Sequence, residues 1–162
     1  MFNPDEAPQT KFFRQAIEAM APSLGVQAIA MLVRDTAEIE PALARFGGQP
    51  NGGLILPTGL FVQSNYLLIA EMASRYRLPS IAAVSGFAKE GGLMDYGAQG
   101  DLVAQYRQAA SYVDRILKGA KPGDLPVQGR VKYTFVINLK TAKALGLTIP
   151  ETLLATADEV IQ

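Results

Sequence analysis

Three short apolar runs punctuate the first half of the chain: Val26-Gln27-Ala28-Ile29-Ala30-Met31-Leu32-Val33, Gly52-Gly53-Leu54-Ile55-Leu56 and Ser80-Ile81-Ala82-Ala83-Val84. Between them, apolar residues recur every three or four positions, the spacing of an amphipathic helix. Strand, helix, strand, helix, strand is the order of βαβ units, which require a parallel sheet with right-handed crossovers. Before the first run, Phe12, Phe13, Ala16, Ile17, Met20 and Leu24 predict a helix from about Pro8 to Leu24, closed by Gly25. Asp35 or Thr36 can cap a second helix that carries Ile39, Leu43 and Phe46 to Gly47-Gly48, with Pro41 disturbing its first half. A third is predicted over Val62 to Tyr76. The opening Met1-Phe2-Asn3-Pro4 reads as the last residues of a buried strand and its turn.

After Val84 comes a glycine-rich stretch, Gly86-Phe87-Ala88-Lys89-Glu90-Gly91-Gly92-Leu93-Met94-Asp95-Tyr96-Gly97. At the carboxyl end of an apolar strand, glycines mixed with aromatic and charged residues suit a ligand-lining loop, and they also suit a long connector. A helix is predicted from Gln99 to Leu117, then a linker over Lys121-Pro122-Gly123-Asp124-Leu125-Pro126. The run Val131 to Asn138 predicts a strand with one less buried face. Leu139 to Leu145 predicts a short helix stopped by Gly146, Pro150 starts another, and Ala157 to Gln162 is a final strand or tail.

Composition removes much chemistry. The 162 residues include no cysteine and no histidine, so disulfides, thiolate nucleophiles, Ser-His-Asp triads and imidazole-bound zinc are excluded. No cofactor and no metal site are expected. Fifteen basic and fifteen acidic residues balance without a like-charge run, which speaks against a nucleic-acid partner and an anionic membrane surface. Neither a dinucleotide fingerprint nor a P-loop is present.

Three runs carry a resemblance. MFNPDEAP at 1–8, EGGLMDYG at 90–97 and YVDRILKGAKPGDLPVQGRVKYTFVINLKTAKALGLTIPETLLATADEVI at 112–161 resemble the ABC-transporter substrate-binding protein family, related to tryptophan and tyrosine importers. The resemblance implies a periplasmic or lipid-anchored receptor of two α/β lobes that closes by a hinge on an amino-acid-like solute and delivers it to an ABC permease. It implies a three-layer, open, mainly parallel α/β sheet, one lobe of a type I periplasmic-binding-protein fold. Residues 1–97 would be the second lobe, and 98–162 the inter-lobe helix, return strand and tail. On this resemblance the first lobe and the signal peptide would lie outside these residues. Asp95-Tyr96-Gly97 would be a hinge crossing, and the helix from Gln99 would have its neighbour in the first lobe. Without that lobe its apolar stripe either forms a homodimer or packs back on its own sheet.

Loops at the carboxyl ends of the strands should line the cleft, which selects Thr58, Ser85, Phe87, Gly91, Gly92, Asp95 and Tyr96 as ligand-binding candidates. Each has a structural alternative: Thr58 as a helix cap, Phe87 as a core plug, Gly91-Gly92 as a turn. A sensory module with the same fold and an α/β enzyme domain are the competing functions, since βαβ order alone serves many.

Overall fold

Five strands form one sheet in chain order. β1 (Leu54–Leu56), β2 (Ser80–Val84) and β3 (Met94–Ala98) run parallel, β4 (Tyr133–Asn138) is antiparallel to β3, and β5 (Glu159–Ile161) is parallel to β4. The computed structural model describes residues 1–6, 9–47, 49–98, 102–127 and 133–162. Pro8, Gly48, Gln99, Val131 and Lys132, which fall in the expected elements above, lie outside the described residues.

The amino-terminal residues extend the sheet past β1. Met1 donates its backbone nitrogen to the Ile55 carbonyl at 2.7 Å, and Phe2 bridges Leu32 in parallel. The spatial order is therefore Leu32, Phe2, β1, β2, β3, β4, β5, and the direction of winding reverses between Phe2 and β1. The expected strand over 26–33 reduces to that bridge: it pairs through Phe2 alone, and Val26 and Ile29 stay more than half exposed.

The helices follow their sequence signals closely. α1 (Gln9–Met20) passes into a 3₁₀ turn closed by Gly25 in the left-handed region at φ 67°. The Asp35 carboxylate accepts from the Glu38 amide at 3.1 Å, capping a 3₁₀ turn that leads into α2 (Ile39–Gly47). Pro41 falls in the first turn of α2, where backbone donors lack intrahelical partners, so it does not break the helix. The predicted third helix divides into α3 (Leu60–Ser64) and α4 (Tyr66–Arg75) at Asn65, whose side-chain amide donates to the Phe61 carbonyl at 2.8 Å. α5 spans Leu102–Leu117, α6 Leu139–Leu145 and α7 Glu151–Leu154.

β3 is the main departure. Asp95-Tyr96-Gly97, expected as the end of the glycine-rich loop, lies in a strand with neighbours on both sides. Asp and Gly disfavour strands in isolation, yet here β4 pairs with all five residues of β3 and β2 with three of them. At Gly97 an added Cβ would lie 2.6 Å from the Val84 Cα and 2.7 Å from the Ala83 carbonyl oxygen, where the β2–β3 register shifts. Only glycine lets the two strands approach.

The α/β, mainly parallel architecture is as expected, and its two faces differ. α2 and α4 cover one face, where Ile39, Leu43, Leu56, Ile69 and Phe87 are fully buried, each worth about 2 kcal/mol of apolar burial. On the other face Ile55, Tyr96 and Tyr133 are about half exposed, and along α5 the side chains of Tyr106, Val113, Ile116 and Leu117 are exposed.

Candidate functional site

A crevice opens beyond the carboxyl ends of parallel strands wherever the winding direction reverses, and open α/β sheets bind ligands there. In this chain the crevice lies between the turn Asn3–Glu6, after Phe2, and Pro57-Thr58-Gly59, after β1. Several bonds hold the first wall. Asn3 accepts from the Asp5 amide at 2.9 Å and donates its side-chain amide to the Arg34 carbonyl at 3.1 Å, while Asp5 pairs with the Arg34 guanidinium at 3.1 Å. Arg34 in turn donates its backbone amide to Glu38 at 2.7 Å.

Glu6 crosses the crevice. Its Oε1 accepts from the backbone amide of Phe61, fifty-five positions away, and its Oε2 is buried without a hydrogen-bond partner. Further along the edge, the Thr36 hydroxyl lies 3.2 Å from the Asn65 side-chain oxygen. A depression of about 300 Å³ beside this edge is lined by Gln63, Ser64, Tyr66, Leu67, Gly86 and Glu90.

The seven sequence candidates divide. Thr58 is exposed at the crevice rim, and the following helix is capped by Gly59 with no side-chain bond, so Thr58 is not a cap. Ser85 is half-buried at the end of β2, its hydroxyl 3.1 Å from that of Thr134. Phe87 is fully buried and meets Tyr66 edge-on, with centroids 5.1 Å apart. Gly92 lies against the Phe87 ring so closely that a Cβ would overlap it. Gly91 adopts φ 100° and its carbonyl accepts from the Thr141 hydroxyl at 2.9 Å.

Asp95 is wholly enclosed. Its Oδ2 accepts from the amides of Ala88 at 2.9 Å and Gly86 at 3.1 Å, drawing the loop after β2 onto β3, while Oδ1 has no partner. Burial pushes its carboxyl upward from the ordinary value, against the two amides and Lys89, with Glu159 adding to the rise. Burial, and then the charge of Asp95, likewise raises the Tyr66 hydroxyl. Asn138 completes the assembly by donating to the Ala88 carbonyl at 2.9 Å. Phe87, Gly91, Gly92 and Asp95 thus build the loop from within.

Tyr96 points to the opposite face of the sheet, stacked on Tyr133 with centroids 5.9 Å apart and edge-on to Phe135 at 6.1 Å. With Ile81, Thr156 and Asp158 these rings line an open depression of about 510 Å³. Sequence reasoning missed Glu6, Asn65, Tyr133 and Phe135. An acidic residue just past the turn of the first strand was the available signal for Glu6. Among the described residues, no group of acidic side chains could hold a metal ion, and no helix is long and apolar enough to cross a membrane.

A doubly wound sheet with polar loops gathered where its winding reverses has the architecture of one lobe of a periplasmic-binding-protein fold. The chain belongs to the family described as ABC transporter substrate binding protein, whose sequence model matches residues 1–161. Among solved structures it resembles a conserved domain protein from Vibrio cholerae O1 biovar El Tor, with 26% identity and a TM-score of 0.80 over 98% of this chain and 52% of that one. It also resembles an ABC domain in complex with L-Trp from Streptococcus pneumoniae, with 25% identity and a TM-score of 0.79 over 99% of this chain and 54% of that one. A ligand-free, open substrate-binding protein with adhesive properties from Clostridium difficile shares the fold at 23% identity and a TM-score of 0.69, over 100% of this chain and 53% of that one. The chain therefore spans about half the length of these structures. No curated protein matches it significantly in sequence.

Proposed function

We propose that this chain is a solute-binding component of an ABC importer, not an enzyme, and that its carboxyl edge forms one wall of a cleft for a small amino-acid-like solute. The observation that carries this reading is the crevice between Glu6 and Gly59 at the reversal of strand order, in a chain of the substrate-binding family. The L-Trp held by the Streptococcus pneumoniae structure supports an amino-acid-like solute. Thr58 and Ser85 offer hydroxyls to that solute, and Phe87, Gly91, Gly92 and Asp95 fix the loop that follows Ser85, whereas Tyr96 lies on the other face of the sheet and does not line this cleft.

In this reading residues 1–97 act as the second lobe and 98–162 as the inter-lobe helix, return strand and tail. A first lobe closes the cleft and covers the stripe on α5, a permease receives the solute, and the working location is periplasmic or lipid-anchored. In the chain alone, a second copy takes the place of the first lobe against α5. Solute binding by this chain alone is weak, because half the contacts and the closure step are missing.

Amide NMR of the chain titrated with millimolar L-tryptophan tests the reading. Shifts concentrated at Thr58, Gly59, Phe61, Ser85 and Gly86 support it, and shifts elsewhere or none overturn it. Calorimetry giving micromolar affinity for the chain alone would overturn the half-cleft.

A further inference from the structure

Among the described residues Glu6 has a side chain that reaches across the crevice, and its two oxygens are treated differently. Oε1 takes the Phe61 amide, whereas Oε2 is buried with no donor. A carboxylate oxygen withdrawn from water without a hydrogen bond is costly, and a charged donor is the partner that compensates it best. Among the described residues no lysine or arginine pairs with Glu6, and the nearby guanidinium of Arg34 is engaged by Asp5.

Gly59 bears on the same point. Its φ of −172° is extended backbone open to any residue, so conformation does not demand glycine. Space does: a Cβ at position 59 would lie 2.5 Å from Glu6 Oε2. Gly59 leaves room for that oxygen at the mouth of β1, between the two loops that flank the reversal of winding.

We infer that Glu6 is a specificity-determining residue of the cleft, whose Oε2 receives the cationic nitrogen of the solute and so selects ammonium-bearing compounds over purely anionic ones. This rests on the solute-binding reading above. The Phe61 amide holds the carboxylate in place through Oε1, leaving Oε2 to the ligand. A glutamine at position 6 keeps an oxygen for the Phe61 amide and turns an N–H₂ toward the ligand, reversing the preference.

Three probes sharing one indole ring separate the possibilities: L-tryptophan, tryptamine, which keeps only the ammonium, and indole-3-propionate, which keeps only the carboxylate. Amide NMR titrations of the wild-type chain should show Gly59 and Phe61 shifting with the first two and not with the third. Glu6→Gln should weaken the two amines by about tenfold or more. Gly59→Ala is the second variant. It displaces the flexible end of Glu6 without altering charge or core, and it should weaken the amines in the same direction.

If L-tryptophan shifts the edge but indole-3-propionate binds as well as tryptamine, or Glu6→Gln binds all three like wild type, the role of Glu6 is overturned while the solute site stands. If no probe shifts the edge at all, both fall.

Discussion

Glu6 and Asp95 are wired alike and placed differently. Each gives one oxygen to backbone amides and keeps the other buried without a donor. Asp95 sits at zero exposure between α4, β4 and the loop it anchors, so its free oxygen can be reached only by the protein itself. Glu6 is half-buried on a crevice between two loops, where a small displacement brings a ligand to it. The same orphaned oxygen is therefore a stability term in one place and a recognition element in the other, and what separates them is enclosure.

That contrast breaks first at the loop Asp95 holds. Phe87→Ala removes a wholly buried ring from against Tyr66, and equilibrium urea denaturation should show a loss of about 3–5 kcal/mol. A loss under about 1 kcal/mol would mean the loop is not part of the core. Gly92→Ala drives a methyl into the same ring, which has no free end to swing aside, and should cost about 2–3 kcal/mol in the same assay.

Asp95→Asn sharpens the comparison through pH. Burial raises the folded-state carboxyl above its unfolded value, so the protonated form is favoured on folding. Stability is then fully present below the unfolded aspartate value, about 4, and is lost as pH rises through the folded value. Asparagine should flatten this segment of the stability curve, and an unchanged slope would show that another group titrates there. The smallest effect belongs to the crevice. Gly59→Ala and Thr58→Ala should each alter stability by no more than about 0.5 kcal/mol, the first because only the tip of Glu6 has to move.

Helix positions were legible because they are local. The Asp35 cap and the Leu139–Leu145 helix need only neighbours within a few residues. Gly146 stops the latter at φ 73° with its amide returning to Ala142 and Lys143. The buried runs of β1, β2 and β4 announced themselves by apolar content. β3 did not, because Asp95 and Gly97 disfavour strands on either side of Tyr96 and are held extended by strands that arrive from residues 80–84 and 133–138. Of the candidate site, Thr58 and Ser85 were found from strand ends, since a strand followed by a loop is a local pattern. Phe87 and Asp95 were recognised as chemically notable, but whether they face a cleft or a core depends on Tyr66 and Asn138, which are distant in sequence and lie on other elements.

The sequence by itself determined the α/β alternation, most helix ends, the absence of histidine and cysteine chemistry, and the family. The tertiary structure alone decided which carboxylate is enclosed and which borders a crevice. Enclosure comes from surfaces that meet across fifty or more residues, as Glu6 meets Phe61 and Asn138 meets Ala88, and no local periodicity encodes that meeting.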